Sequence, residues 1–410
     1  MSEKLTVKNV VNINKSTLSA KDNWSTLKYL DTGNITENQI DTLQIFQKGE
    51  KLPSRAKRKV EKGTIIYSTV RPNQKHFGYF DTHSNDLVVS TGFATLDVID
   101  PRINSKYLYY LLTQNSVISQ LQSIGENSTS SYPSIRPEDI GNLSFVFPDI
   151  DIQNKIADIL TSIDKKIQIN NQINQELEAM AKTLYDYWFV QFDFPDQNGK
   201  PYKSSGGKMV YHPELKREIP EGWGVEKLNS LLKIGKETTN PKKFPNEEFK
   251  YYSIPEFDTT GTYSLERGDS IKSNKFKVEK NDLLVSKLNP WFNRVIYNLE
   301  ENAISSTEFI VWKTFNRFEK NFLYQVATGK EFIEYCTRFA TGTSNSHKRV
   351  SPDIMVSFQI PFEKTYIQKF GEITDSIRAQ VLQNNEQNQE LTQLRDWLLP
   401  MLMNGQVKVE

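Results

Sequence analysis

The side chains in this 410-residue chain with the most chemistry to offer are cations gathered in two places. Residues 51–76 carry Lys51, Arg55, Lys57, Arg58, Lys59, Lys62, Arg71 and Lys75 against one acid, Glu61. Residues 267–294 carry seven Lys/Arg and three Asp/Glu. The formal net charge is only +1, so the chain as a whole is no polybasic binder. Local stripes nevertheless neutralise phosphates whatever the average. Residue type separates two jobs inside them. Arg and Asn make bidentate contacts to guanine and adenine edges, whereas Lys more often holds phosphate. Arg71, Asn73, Lys75 and His76 follow a β-rich run in a loop punctuated by Pro and Gly, where side chains can enter a groove. Lys287, Asn293 and Arg294 take the corresponding place further on. Arg55, Lys57, Arg58 and Lys59 form the densest basic run. Two polar loops, one with Ser134 and Arg136 and one with His347, Lys348 and Arg349, complete the candidates for DNA contact.

Catalytic patterns are absent. The chain has no G-x-x-x-x-G-K-[ST], H-E-x-x-H or G-x-S-x-G element, and no proline-aspartate followed by acid-x-lysine. His76, His83, His212 and His347 are scattered without metal-ligand spacing. Asn289-Pro290-Trp291-Phe292 resembles the Asn-Pro-Pro-Phe/Tyr motif that holds a flipped base in amino-methyltransferases. Its second proline is missing, and no glycine-rich strand–helix element for a methyl-donor nucleoside accompanies it. Its counterpart in the repeat described next, Val70-Arg71-Pro72-Asn73, has no such character, so a strand-end turn accounts for both. The single cysteine, Cys336, excludes an intrachain disulfide and reads as a small buried apolar side chain. No apolar run is long enough to span a bilayer, and MSEKLTVKNVV carries no signal-peptide hydrophobic region. These features lead us to expect a cytoplasmic protein.

These side chains are positioned by an element that occurs twice. NNQINQEL at 170–177 returns as NNEQNQEL at 384–391, a shift of 214 residues with six of eight positions identical. Further blocks keep the same order: Ser90-Thr91 with Phe93 and Ser306-Thr307 with Phe309, Tyr107-Leu108-Tyr109 and Phe322-Leu323-Tyr324, and KGTIIYSTVRP at 62–72 with KNDLLVSKLNP at 280–290. A duplicated unit suits a roughly two-fold partner with two half-sites, of which DNA is the commonest. With 37% hydrophobic and 25% charged residues, the length accommodates two globular cores.

Each copy ends in a long helix. In the first, Ile156, Ile159, Ile163, Asn170, Ile173, Leu177, Met180 and Leu184 follow spacings of three and four, with Lys166 filling the step between Ile163 and Asn170; in the second, Phe370, Ile373, Ile377, Asn384, Gln387, Leu391, Leu394 and Leu398 do so apart from one step of seven between Ile377 and Asn384. This spacing predicts a coiled-coil seam in which the two helices bury each other's stripe, antiparallel, with Asn170 and Asn384 meeting near the middle. The expected fold class is α+β, with two pseudo-two-fold-related globular α/β domains separated by a pair of long antiparallel helices. The domains run 1–150 and 220–362, the helices 151–192 and 363–410, and a Gly/Pro-rich linker 193–219. A helix of ~35 residues is ~50 Å long, enough for domains at its ends to reach grooves ~34–36 Å apart.

The plan of globular domain, long helix, second globular domain and second long helix resembles the specificity subunit of type I restriction-modification systems. Asp31-Thr32-Gly33-Asn34-Ile35, LPSRAKRKV at 52–60 and STVRPNQKHFG at 68–78 resemble a common first target-recognition domain, and LRDWLLPMLMNGQVKV at 394–409 resembles the family's distal conserved region. The resemblance implies a non-catalytic, sequence-specific DNA-binding subunit that recognises two short sequences separated by unspecified base pairs. It implies two modification subunits and two restriction subunits as partners, with S-adenosylmethionine, ATP and magnesium bound by them and no cofactor or metal bound by this chain. The alternative reading is a non-catalytic protein-interaction scaffold built on the duplicated coiled coil; it accommodates the seam but not the paired basic loops.

Overall fold

In a computed structural model, residues 4–19, 21–82, 86–128, 132–342, 347–407 and 409 are described, the side chain of Arg317 excepted; His83 lies outside them. Contacts divide the chain into two compact units, residues 1–170 with 386–410 and residues 171–385. The divisions fall inside both long helices, not at the expected domain borders. Each unit therefore owns a globular part and a segment of both helices.

Unit 1 is built on two four-stranded sheets. One runs Val11–Ile13, Phe93–Val98, Ile65–Ser68, Phe77–Tyr79, all antiparallel. The other runs Gln44–Gln47, Thr26–Leu30, Leu87–Ser90, Ala56–Lys59, with one parallel pairing between Thr26–Leu30 and Leu87–Ser90. The run Ile65-Ile66-Tyr67 shows why the sequence is apolar without alternation. Ile65 and Tyr67 face the helices α1 (Ser105–Leu112) and α2 (Asn115–Glu126), while Ile66 faces the second sheet. A strand covered on both faces has no solvent side to mark with polar residues.

Unit 2 repeats this plan. Leu232–Gly235, Phe309–Thr314, Leu283–Ser286 and Val295–Tyr297 form the matching antiparallel sheet. A five-stranded sheet holds the matching parallel pair, Glu248–Tyr252 with Ala303–Ser305. Leu283 and Val285 pack with helices α4 (Arg317–Thr328) and α5 (Lys330–Phe339), and Leu284 faces the other sheet. Cys336 is fully buried there, and burial pushes its thiol up to about 12, which leaves it unreactive. The expected linker is folded. Phe192 and Phe194 are buried, Phe194 stacks on Trp223 with centroids 5.0 Å apart, and Met209–His212 pairs with Arg217–Pro220. Its Gly, Pro and charge content disguised these aromatic anchors.

The long helices are α3 (Ile150–Tyr185) and α6 (Lys364–Met403). They pair antiparallel within each unit. In unit 1, Ile156 and Leu160 cluster with Leu402, Asp164 meets Arg395 at 3.3 Å, and Asn170 donates to Gln387 and Asn388 at 2.8 and 2.9 Å. In unit 2, Asn384 donates to Asn174 at 2.8 Å, Arg378 meets Glu178 at 3.2 Å, and Tyr185 packs on Phe370. Asn170 and Asn384 are both buried, but each bonds the other's neighbour one turn on. At the repeat shift, Asn170–Asn388 and Asn384–Asn174 are one contact occurring twice.

Burial differs between the two alternating positions of the expected seam, and at the second the inward side chains lie one residue further along. Ile156, Ile163, Asn170, Phe370 and Asn384 are buried, and Leu177, Ile377 and Leu391 are half-buried. Ile173, Ile373 and Leu394 are 40%, 47% and 43% exposed, and Met180 is exposed as well. Ile159 is only partly buried. The inward stripe carries Leu160, Asn174, Thr374, Asn388 and Arg395 instead. It keeps the three-four spacing, but polar residues hold much of it, so apolar type alone points to the adjacent face.

Candidate nucleic-acid interface

The two basic loops share one backbone. In unit 1 the chain leaves the strand Ile65–Ser68, and the Ser68 hydroxyl donates to the Val70 carbonyl at 2.9 Å. Arg71 then turns left-handed (φ 46°), Pro72–Gln74 form a 3-10 turn, and Lys75 is left-handed again (φ 56°). In unit 2, Ser286 donates to Leu288 at 3.1 Å, Asn289 (φ 47°) precedes Pro290–Phe292, and Asn293 (φ 50°) closes the turn. Positive φ is uncommon for residues other than glycine, so four such residues at matched places mark a built feature. Main-chain bonds hold it. Arg71 N–H donates to Pro133 at 2.8 Å and Asn289 N–H to Lys348 at 2.7 Å. Ile135 and Val350 return bonds to Thr69 and Lys287 at 2.8 and 3.0 Å. The loops with Ser134 and Arg349 thereby join the turns, through bridges Val70–Ser134 and Leu288–Arg349.

The candidate side chains divide by what already holds them. Arg55, Lys57, Arg71, Asn73, Arg136, Asn293 and His347 are exposed. The Arg71 guanidinium lies 5.7 Å from the Tyr132 ring centre, and Arg136 pairs with Asp139 at 3.3 Å. Lys287 and Lys348 are half-exposed beside the second turn. Lys59 is paired with Asp22 and holds its carboxyl below the usual range by hydrogen bonding. Lys75 pairs with Glu37 at 2.5 Å, and Arg349 makes a two-pronged contact to Glu308 at 2.9 and 3.0 Å. Arg58 is partly buried, with a buried Nε that has no hydrogen-bond partner among the described residues.

Two candidates brace the turn from within. Arg294 is 8% exposed; it grips Asp258 at 2.5 and 2.7 Å and donates to the Leu288 carbonyl at 3.3 Å. At the matching place His76 Nδ1 lies 2.6 Å from the Ile35 carbonyl oxygen. Sequence spacing gave no sign of Asp258, Glu37 or Glu308, which lie dozens of residues from their partners. Nor did it mark Tyr132 as a partner of Arg71. No group of His, Cys, Asp and Glu able to hold a metal occurs among the described residues, and no helix of them is long and apolar enough to cross a membrane.

Comparison with known proteins agrees with this duplicated architecture. Residues 2–179 match the family described as Type I restriction modification DNA specificity domain. The chain is 26% identical to the type I restriction enzyme HindI specificity subunit of Haemophilus influenzae, across 92% of this chain and 94% of that protein. It is also 26% identical to the MjaIX specificity subunit of Methanocaldococcus jannaschii, across 93% and 84%. In structure it resembles the type I restriction-modification S subunit from M. genitalium, with a TM-score of 0.54 at 16% identity over 98% of this chain and 96% of that one, a likeness of fold. The family match covers residues 2–179, and the relatives span both halves, so the chain is similar over most of its length to specificity subunits of type I restriction-modification systems.

Proposed function

We propose that this subunit recognises a bipartite DNA target, one half-site through each unit, and holds its partner subunits through the helices α3 and α6. It supplies sequence specificity and no catalysis. Two modification subunits and two restriction subunits carry the chemistry in the cytoplasm, with S-adenosylmethionine, ATP and magnesium bound on them. The observation that carries this reading is the repeated turn: each unit presents its tip on the same rigid backbone, beside cations. Arg71, Asn73 and Asn293 are the base readers. Arg55, Lys57, Arg136, Lys287, His347 and Lys348 hold phosphates, and Arg58, Lys59, Lys75, Ser134 and Arg349 support them, each within its own unit. Arg294 and His76 position the turns. Ile173, Met180, Ile373 and Leu394 leave apolar side chains on the outer faces of the helices, which suits partner subunits.

The test is selection of binding sites from a random duplex pool with the modification subunits present. A motif of two fixed segments around an unspecified spacer is expected; its absence would overturn the reading. Lys57→Ala should weaken every site and lower the salt slope by about 1. Arg71→Ala should cost ~1–3 kcal/mol and relax one position. The helix pair should also set the spacer. The inter-helix bonds lock register, so seven residues must be added to both helices together. That adds roughly 10 Å and should lengthen the spacer by about three base pairs.

A further inference from the structure

The tip of the second turn is aromatic where the first is amide. Trp291 and Phe292 are 38% and 58% exposed and stand where Asn73 and Gln74 stand in unit 1. Two large rings side by side on one tight turn make a contiguous apolar patch, the kind of surface that marks an interaction site. The turn cannot fold away to hide them. Lys348 N–H donates to Asn289 Oδ1 at 2.9 Å, and the Arg294 guanidinium is fixed on Asp258 at 2.5 and 2.7 Å. The same guanidinium lies 4.5 Å from the Phe292 ring centre and covers one face of it. The Trp291 ring centre lies 6.0 Å from that of Phe292, at a 45° tilt. The nearby cations Lys287 and Lys348 suit a polyanion and not an apolar protein surface.

We propose that Trp291 and Phe292 form an aromatic platform on which bases of the second half-site stack, so that unit 2 reads its half-site by ring contact while unit 1 reads by hydrogen bonds. Stacking needs an exposed ring, a rigid mount, a cationic rim and a base step that opens to free a base face; the turn supplies the first three, and wedging the rings into the step supplies the fourth. The inference rests on the proposed reading of both turns as DNA contacts. It also gives a role to Asn289-Pro290-Trp291-Phe292 that needs no methyl transfer: Asn289 and Pro290 build the mount, and the two rings are the contact.

The test uses the complete chain with its modification subunits and the duplex that this complex selects. Phe292→Ala and Trp291→Ala should each weaken binding about 5- to 150-fold, the range expected for one base–aromatic stack. The salt slope should stay unchanged, because no phosphate contact is lost. Preference should relax in one half-site only. Phe292→Leu keeps apolar bulk without the ring and should behave like Phe292→Ala. Variants that bind like the parent would overturn the platform while leaving the bipartite reading intact. Variants that shed modification subunits from the purified complex would also overturn it, and would make the rings a protein-docking patch. A parent complex that selects no sequence would bring down the underlying reading and this inference with it.

Discussion

The turns at 71–75 and 289–293 use one backbone to present opposite chemistry. Main-chain bonds, left-handed flanking residues and the bridge to the neighbouring loop match position by position. None of those bonds needs a particular side chain at the tip. The tip can therefore change from Asn73-Gln74 to Trp291-Phe292 without rebuilding the fold, and a recognition unit needs that freedom. The side chains below the turn do the reverse. His76 and Arg294 each brace the same loop, one through a carbonyl and one through a carboxylate, so the mount is kept while its chemistry differs.

The largest contrast between the units lies where the helix meets its own domain. Gly371 on α6 touches α4 so closely that a Cβ would sit 2.6 Å or less from the Phe318 backbone. Backbone cannot yield as a side chain can. Gly371→Ala should cost about 3 kcal/mol or more in denaturant unfolding. Ala157 holds the matching place in unit 1 and is buried, so that unit accepts the methyl that unit 2 refuses. Ala157→Gly should cost only about 1 kcal/mol, the helix penalty of glycine. Equal costs would show that the two helix–domain contacts are alike after all.

A smaller difference is expected at the braces. Asp258→Ala leaves the 8%-exposed Arg294 guanidinium without its anion. Full burial of both partners would make this a loss of 3–5 kcal/mol, but Asp258 is itself about half exposed, so about 2 kcal/mol is expected. His76→Ala removes one hydrogen bond to a carbonyl and should cost about 1 kcal/mol. Thermal unfolding of the two variants gives the order, and a reversed order would place the tighter brace in unit 1.

Much of this comparison can be read from the amino-acid order. The blocks STVRP and VSKLNP, and the repeated NNxxNQEL, identify matching elements, because local pattern survives where packing is shared. The turn conformation is less legible, since Arg71 and Lys75 rarely adopt positive φ, and only Asn289 and Asn293 of the second copy are of a type that favours it. The acids that answer the cations are invisible, because Glu37, Asp258 and Glu308 reach their partners only through the fold. The helix seam fails for a physical reason. Ile173 and Ile373 look like core residues, yet the buried stripe holds Asn174 and Thr374, whose polar groups are satisfied by Asn384 and by the Phe370 carbonyl. A polar residue with a partner is as burial-worthy as an apolar one, and spacing alone cannot reveal the partner.

The smallest expected difference concerns how α3 and α6 choose each other. In unit 1 the pair is Asp164 with Arg395; in unit 2 it is Glu178 with Arg378. The acid comes from α3 and the base from α6 in both, although Asp164 and Arg378 occupy the same repeat position. The helices are copies in sequence but complements in charge. Two α3 helices paired in the observed register would set Asp164 against Glu178, and two α6 helices would set Arg378 against Arg395. The charges thus favour the α3–α6 pair over either self-pair. Double-mutant cycles to alanine should measure the two attractions separately. We expect about 1 kcal/mol of coupling for Asp164–Arg395, where Glu37 at 3.7 Å and Asp396 add to the field on a largely covered guanidinium. Glu178–Arg378 should couple by only about 0.5 kcal/mol, because Glu178 is about half exposed and much of the hold on Arg378 comes from the rings of Tyr297 and Tyr324 at 4.8 and 4.4 Å. Added salt should therefore shrink the unit 2 coupling more than that of unit 1. Coupling indistinguishable from zero in both cycles would mean that the buried stripe, with its asparagine bonds, selects the partner helix without help from these ion pairs.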